Sequence, residues 1–246
     1  MIVSKSNPTV KELASLKDRK ARHERGVFLV EGEKAVRDLL SSGLKIRRMI
    51  VREGYTGETY GYPCILLGKD AFQAVSDLKT PQGMIAEAEI PHVSIAEPKG
   101  DCLFLDGLQN PENIGAILRT ANAVGIREAY LADCADAYSP KCVRASMGGV
   151  FFFEIYEGTR EEIFSALKHT PLIAADMAGE NVFSFTPPAR FALAVGSEGG
   201  GLSKEAEEKA SYTVKIPMEE RTESLNAAVS AGIILYALRK DRMNFN

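Results

Sequence analysis

The sequence predicts an α/β protein: a largely parallel sheet with helices on both faces in the C-terminal part, preceded by a smaller α/β module. Two observations carry this. From Asp101 onward, short apolar runs of strand length alternate with amphipathic stretches of helix length, the pattern of parallel strands joined by crossover helices. Between the two parts, IPHVSIAEPKGD (Ile90 to Asp101) holds two prolines and a glycine with little helical period and reads as a linker. Residues 1–95 are therefore expected to form one domain and residues 100–246 another.

In chain order, the first part reads as a helix from about Thr9 to Lys20, a strand at VFLVEG, a helix EKAVRDLLSSG and a strand at RRMIVR. A helix near KDAFQAVSDL and a strand at GMIAEAE follow. The second part opens on a buried-type strand, LFLDGL, and the amphipathic helix NIGAILRTANAVG, which stops on Gly125. Next come a strand at REAYLAD, the segments SPKCVRASMGG and FFFEIYEG, the helix REEIFSALKH, and strands at PLIAAD and FALAVG. A glycine run, SYTVKIP and a long last helix complete the chain. No internal repeat or low-complexity tract interrupts the pattern.

The composition is that of a soluble globular protein: 246 residues, 45% hydrophobic and 26% charged. No run approaches the ~20 consecutive apolar residues of a membrane span, and MIVSKSNPTVKEL lacks the apolar core of a secretory signal, so a cytoplasmic protein is expected. Cys64, Cys102, Cys134 and Cys142 form no CxxC pair and have no histidine at zinc spacing, so no metal is expected and all four read as core thiols. The net charge of −3 conceals an asymmetry. Through Arg52 there are 13 Lys plus Arg against 6 Asp plus Glu, an excess of +7, whereas from Asp101 on there are 14 against 20, a net of −6. Within the basic part, Lys17, Arg19, Lys20, Arg22 and Arg25 fall within nine positions, a pattern suited either to tracking a phosphate backbone or to a solvated helix end.

Three motifs carry the candidate chemistry. NPENIGAILRTA follows a strand and opens a helix, a place where free backbone N–H groups favour anions or polar ligands. At ~100° per residue Ile114, Ile117, Leu118 and Ala121 share one stripe and Arg119 lies about 140° from Ile114. Taken singly, Arg119 is either a solvated side chain or a guanidinium aimed at phosphate or a ribose hydroxyl. AVGSEGGGLS ends an apolar strand in glycines that let backbone approach a ligand. It is neither a Walker loop nor a GxGxxG fingerprint, and Glu198 within it would repel phosphate. In IPMEERTESLNAAVSAGIILYALRK, Ser224 is placed to cap the last helix with Asn226 in its first turn, and the small residues Ala227, Ala228, Ala231 and Gly232 allow close approach of another backbone.

In this order and spacing the motifs resemble the SpoU family of RNA ribose methyltransferases, within the SPOUT class. N-x-G-x-x-x-R-x-A is met by Asn113, Gly115, Arg119 and Ala121. G-x-E-G-x-G is met by Gly196, Glu198, Gly199 and Gly201, and I-P-M…S-L-N by Ile216, Pro217, Met218, Ser224, Leu225 and Asn226. YSPKCVRASMGGVF matches the family's intermediate segment, and the basic run followed by FLVEG looks like the substrate-binding domain such proteins often carry, with the fold of kink-turn-binding ribosomal proteins. One departure is Glu220 with SLNAAVSA, where many members have glycine and SLNVSVA.

The resemblance implies a trefoil-knotted parallel sheet, where periodicity alone points to an unknotted doubly wound domain. It also implies S-adenosylmethionine held by Gly196, Ile216 and Leu225, a homodimer that completes the site, and structured rRNA or tRNA as substrate. Under that reading Arg119 positions the reacting hydroxyl, Asn113, Ser224 and Asn226 supply hydrogen bonds, Glu198 orders the loops, and Lys17, Arg19, Lys20, Arg22 and Arg25 bind RNA. The alternative is an RNA-binding or ribosome-assembly protein that keeps the fold without catalysis.

Overall fold

The computed structural model describes residues 1–219 and 224–243, so Glu220 lies outside the described residues. The chain opens with α1 (Pro8–Ser15), α2 (Arg19–Arg25), β1 (Val27–Glu31), α3 (Glu33–Ser42), β2 (Ile46–Arg52), β3 (Cys64–Leu67), α4 (Lys69–Val75) and β4 (Met84–Glu89). The first predicted helix is thus two helices. Asp18, in extended backbone, accepts from Lys20 N and restarts the helix, because its carboxylate satisfies an N-terminal N–H that the continuing helix would have bonded internally. The strands assemble in the order β1-β4-β2-β3, antiparallel except for the β2–β3 pair. Strand β3, absent from the expected elements, places Cys64 in the open, which corrects its assignment as a core thiol; Cys102, Cys134 and Cys142 are buried.

The second part runs β5 (Cys102–Asp106), α5 (Pro111–Ala123), β6 (Glu128–Ala132), α6 (Pro140–Ala145), β7 (Glu154–Glu157), α7 (Arg160–Leu167), β8 (Leu172–Asn181), β9 (Ala192–Gly196), α8 (Lys204–Lys209), β10 (Tyr212–Lys215) and α9 (Ala227–Arg239). A six-stranded sheet forms in the order β10-β8-β9-β5-β6-β7 with every pair parallel. Strands β5 and β9 are buried along nearly their whole length, which is why LFLD and ALAV are continuous apolar runs rather than alternating ones. Phe104, Tyr130, Ile163, Leu172 and Ala194 belong to one core cluster of this sheet.

The chain divides into two compact units: Met1–His92 with Tyr138–Phe151, and Val93–Ala137 with Phe152–Asn246. The first unit is therefore not continuous in sequence. Phe28 of β1 is fully buried, with its ring 4.9 Å from Tyr138 and 6.2 Å from Phe151. Arg144 of α6 pairs with Asp77 at 2.5 Å.

Candidate functional site

In the second unit, strand β9 lies between β5 and β8, so strand order reverses beside β5; at such a reversal the carboxyl ends of parallel strands leave a crevice. On the β9 side of this point a cleft of about 210 Å³ opens among the ends of β8, β9 and β10 and the start of α9. Gly196, Glu198, Ile216, Ser224 and Leu225 all line it. The loop at its floor is a tight turn in which Ser197 and Gly201 exchange backbone hydrogen bonds at 2.9 and 3.0 Å. This turn explains Gly196: a Cβ there would fall 2.1 Å from the carbonyl carbon of Gly201, inside backbone that cannot move aside. Ile216 follows the last residue of β10 and Leu225 precedes the cap of α9, so their backbones sit just outside the ladder and the helix.

Beside the cleft, residues from all three motifs meet. Asn226 Nδ2 donates to Asn113 Oδ1 at 3.1 Å, and Asn113 Nδ2 in turn donates to Glu198 Oε1. Asn226 Oδ1 accepts from the N–H groups of Ala228 and Val229, at 3.0 and 3.3 Å. Asn226, not Ser224, is therefore the cap of α9, a correction to the sequence expectation. Its amide faces two ways, closing the helix with its oxygen and reaching Asn113 with its nitrogen. Asn113 is buried in the first turn of α5, whose own cap is Asn110. Ser224 is exposed on the cleft wall.

Arg119 stands apart. It is exposed on α5, does not line the cleft, and its guanidinium has no hydrogen bond or ion pair among the described residues, Glu112 included. Helix α9 leaves one side open: Val229 is 50% exposed and Tyr236 45%, and with Phe183, at 54%, they border a shallow apolar face next to Asn113 and Asn226.

Sequence reasoning passed over Asp106. It ends β5, is 2% exposed, and holds the site from behind. Its Oδ1 accepts from Arg160 Nε at 2.9 Å and its Oδ2 from Ser203 N at 2.8 Å, which ties the far end of the glycine turn to the first residue of α7. Arg160 also meets Asp133. Burial alone would pull the Arg160 guanidinium down, but Asp106 and Asp133 hold it above its ordinary value.

In the first unit the basic stretch is less uniform than its sequence. Arg22 is 2% exposed and its guanidinium donates to Leu16 O at 2.7 Å, because α2 turns it inward under the α1–α2 joint. The ammonium of Lys17 donates to Ala74 O and Ser76 O, at 3.0 and 2.6 Å, and Arg25 pairs with Glu12. Arg19 and Lys20 are the members exposed along the helix, Lys20 lying 3.8 Å from Glu24. A separate cleft of about 270 Å³ in this unit is lined by Lys17, Glu31, Asp38, Asp77 and Arg144 among others. Two of its cations, Lys17 and Arg144, already have partners. Among the described residues no helix is long and apolar enough to cross a membrane, and no group of three or more His, Cys, Asp or Glu could hold a metal ion.

This architecture and these motifs have relatives. Residues 102–236 match the SpoU rRNA Methylase family, and residues 7–86 match the MRM3-like substrate binding domain. The 23S rRNA (guanosine(2553)-2'-O)-methyltransferase RlmP of Bacillus subtilis is 32% identical over 245 residues, 97% of this chain and 98% of that protein. The AdoMet-bound rRNA methyltransferase from Sinorhizobium meliloti superposes with a TM-score of 0.90 at 26% identity, covering 99% of this chain and 98% of that one. The SpoU methyltransferase AviRb from Streptomyces viridochromogenes, in complex with the cofactor AdoMet, gives 0.88 at 26% identity over 96% of this chain and 98% of its own. The chain belongs to the SpoU rRNA methylase family.

Proposed function

We propose that the protein is an S-adenosylmethionine-dependent RNA 2'-O-ribose methyltransferase acting on structured ribosomal RNA. The observation that carries this reading is the convergence of Asn113, Glu198 and Asn226 in one hydrogen-bonded row along a cleft at the strand ends of a parallel sheet. The cleft fits the cofactor. Its walls are largely apolar, with Val195, Val214, Ile216, Leu225 and Ile234 offering surface to a flat purine, and loop backbone stands ready for polar edges. It holds two carboxylates, Asp176 and Glu198, against one lysine, Lys215, a lining that suits a ligand without net negative charge. RNA as substrate follows from the reaction, since the 2'-hydroxyl is what distinguishes RNA from DNA.

S-adenosylmethionine supplies an electrophilic methyl group whose leaving thioether is neutral, so no general acid is needed. The protein must hold a ribose hydroxyl in line and ease the loss of its proton. Gly196, Ile216 and Leu225 hold the cofactor through their backbones. Asn113, Ser224 and Asn226 hydrogen-bond around the target nucleotide, and Glu198, gripped by Asn113, keeps the glycine turn in place. Arg119 orients the hydroxyl or its neighbouring phosphate and favours the developing alkoxide electrostatically. A guanidinium holds its proton too firmly to serve as a base, which is why orientation is the better role.

Residues 1–95 act as the RNA-binding domain and 100–246 as the catalytic domain, with a trefoil knot in the latter. Of the candidates for RNA contact, Lys17, Arg19, Lys20, Arg22 and Arg25, Arg22 is buried, and the exposed Arg19 and Lys20 on α2 are the side chains we assign to phosphate. The protein works as a homodimer in the cytoplasm. The apolar face of Val229, Tyr236 and Phe183 is the surface we assign to the second copy, and Arg119, standing off its own cleft, is suited to a site completed across that contact.

The test is to map ribose methylations lost from total RNA of a deletion strain, then restore them with wild-type protein and with Arg119→Ala. The reading predicts one lost ribose methylation that only the wild type restores. No lost methylation, or no S-adenosylmethionine binding by calorimetry, would instead favour an RNA-binding protein without catalysis.

A further inference from the structure

Strand β8 breaks its register at the cleft. Ala174 pairs with Thr213 of β10, yet the next ladder partner, Val214, faces Glu180, so residues 175–179 leave the sheet as a bulge. The bulge lines the cleft with Ala175, Asp176 and Met177. It can return to the sheet because residue 179 is glycine: a Cβ there would lie 2.5 Å from Thr213 C and Val214 N. Such a departure beside a site re-aims a side chain, and here the side chain presented is a carboxylate.

Two carboxylates line the cleft, and they differ in what they already hold. Glu198 accepts from Asn113 and belongs to the row of motif residues. Asp176 accepts from Ala178 N through Oδ1 at 2.8 Å, which fixes the carboxyl group, and its Oδ2 has no hydrogen bond among the described residues. Lys215, the cation lining the cleft, makes no ion pair with it among the described residues. A carboxylate oxygen fixed beside an apolar cleft wants donors, and a ribose diol offers two adjacent hydroxyls. Carboxylates on strand ends take this part in dinucleotide folds, where the acid follows the glycine motif. In this chain the acid would come from the neighbouring strand instead.

We infer that Asp176 is the side chain that recognises the ribose hydroxyls of the bound adenosyl group and so sets the nucleoside specificity of the cleft. The inference rests on the cofactor reading above. It predicts that the contact is made equally to S-adenosylmethionine and to S-adenosylhomocysteine, since both carry the same ribose.

Calorimetry on the full-length protein with S-adenosylmethionine, S-adenosylhomocysteine and the 2'-deoxy and 3'-deoxy forms of S-adenosylhomocysteine tests this. Asp176→Ala should weaken S-adenosylmethionine and S-adenosylhomocysteine alike, by about 10- to 100-fold, the size of a hydrogen bond to a charged group. At least one deoxy ligand should bind the wild type correspondingly weakly and lose little more in the variant. Because Asp176 is exposed, Asp176→Ala and Asp176→Asn should melt with the wild type, and that measurement separates a lost contact from a lost fold. Unchanged affinity in Asp176→Ala, or equal deoxy penalties in wild type and variant, would overturn the assignment while leaving the methyltransferase reading intact. A loss confined to S-adenosylmethionine would overturn it too, placing the carboxylate against the sulfonium. A wild type that binds neither ligand would overturn the cofactor reading and this inference together.

Discussion

Arg119 and Asp106 show how differently two charged residues can serve one site. Arg119 is exposed and its guanidinium unpartnered among the described residues, so Arg119→Ala should leave the melting temperature unchanged while lowering methylation of the mapped RNA by at least ~100-fold, measured by methyl incorporation. Asp106 is buried and answers two donors, so Asp106→Ala strands the Ser203 N–H and leaves the Arg160 guanidinium with Asp133 alone. Urea unfolding should show a loss of about 1–3 kcal/mol, the size of a buried donor left without its acceptor. Nothing in the run LFLDGL distinguishes this aspartate, because its meaning depends on Arg160 and Ser203, which are distant in sequence. By contrast, the motif spacing singles out Asn113, Glu198 and Asn226, which the structure joins in one hydrogen-bonded row, whereas Arg119 of the same motifs stands outside it. Two tyrosines give a pH test. Burial raises Tyr130 well above the ordinary phenol value, and burial followed by Glu154 raises Tyr156. Their rings stack at 4.7 Å. The folded state thus keeps protons that the unfolded chain gives up near pH 10, so stability contributed by these groups is present below that pH and falls as pH rises past it. An ultraviolet titration should show them ionising only as the protein unfolds.

At the scale of elements, the glycine turn and the ends of β8 and α9 decide what the cleft can be. Gly196→Ala places a methyl carbon into the Gly201 backbone, so the turn must open. Loss of S-adenosylmethionine binding in calorimetry is expected, with a far smaller effect from Gly199→Ala, where the added carbon meets nothing within 4 Å. Most strands and helices were legible because burial imposes its period on sequence, as in the amphipathic α3 and the continuously apolar β5 and β9. The misses have local causes. Asp18 could equally continue a helix or cap a new one, and only the cap is compatible with α2 turning Arg22 inward. At α9 both Ser224 and Asn226 are good caps, and the partner Asn113, more than a hundred residues earlier in the chain, is what picks Asn226. The bulge in β8 left no period to read.

At the scale of the molecule, charge and contacts partition the chain differently. The charge changes sign across the linker, +7 through Arg52 and −6 beyond Asp101, from 13 against 6 and 14 against 20 residues. Contacts place the division at His92 and Val93 but return Tyr138–Phe151 to the first unit. The linker was visible in its prolines, whereas the returning segment was not, because SPKCVRASMGG carries a helix signal too short to reveal which unit it packs in. A protein expressed as residues 1–95 should consequently aggregate or bind a hydrophobic dye, while the whole chain should not; light scattering and dye fluorescence at matched concentration decide it.

That expectation comes from Phe28, and it reaches beyond stability. A module whose apolar strand is covered by Tyr138 and Phe151 cannot be cut out as one stretch of gene and grafted onto another enzyme. Its cover would have to travel with it. Recombination that exchanged substrate-binding modules between such proteins would need to carry the short inner segment along or find a partner whose own segment fits the same aromatic pocket.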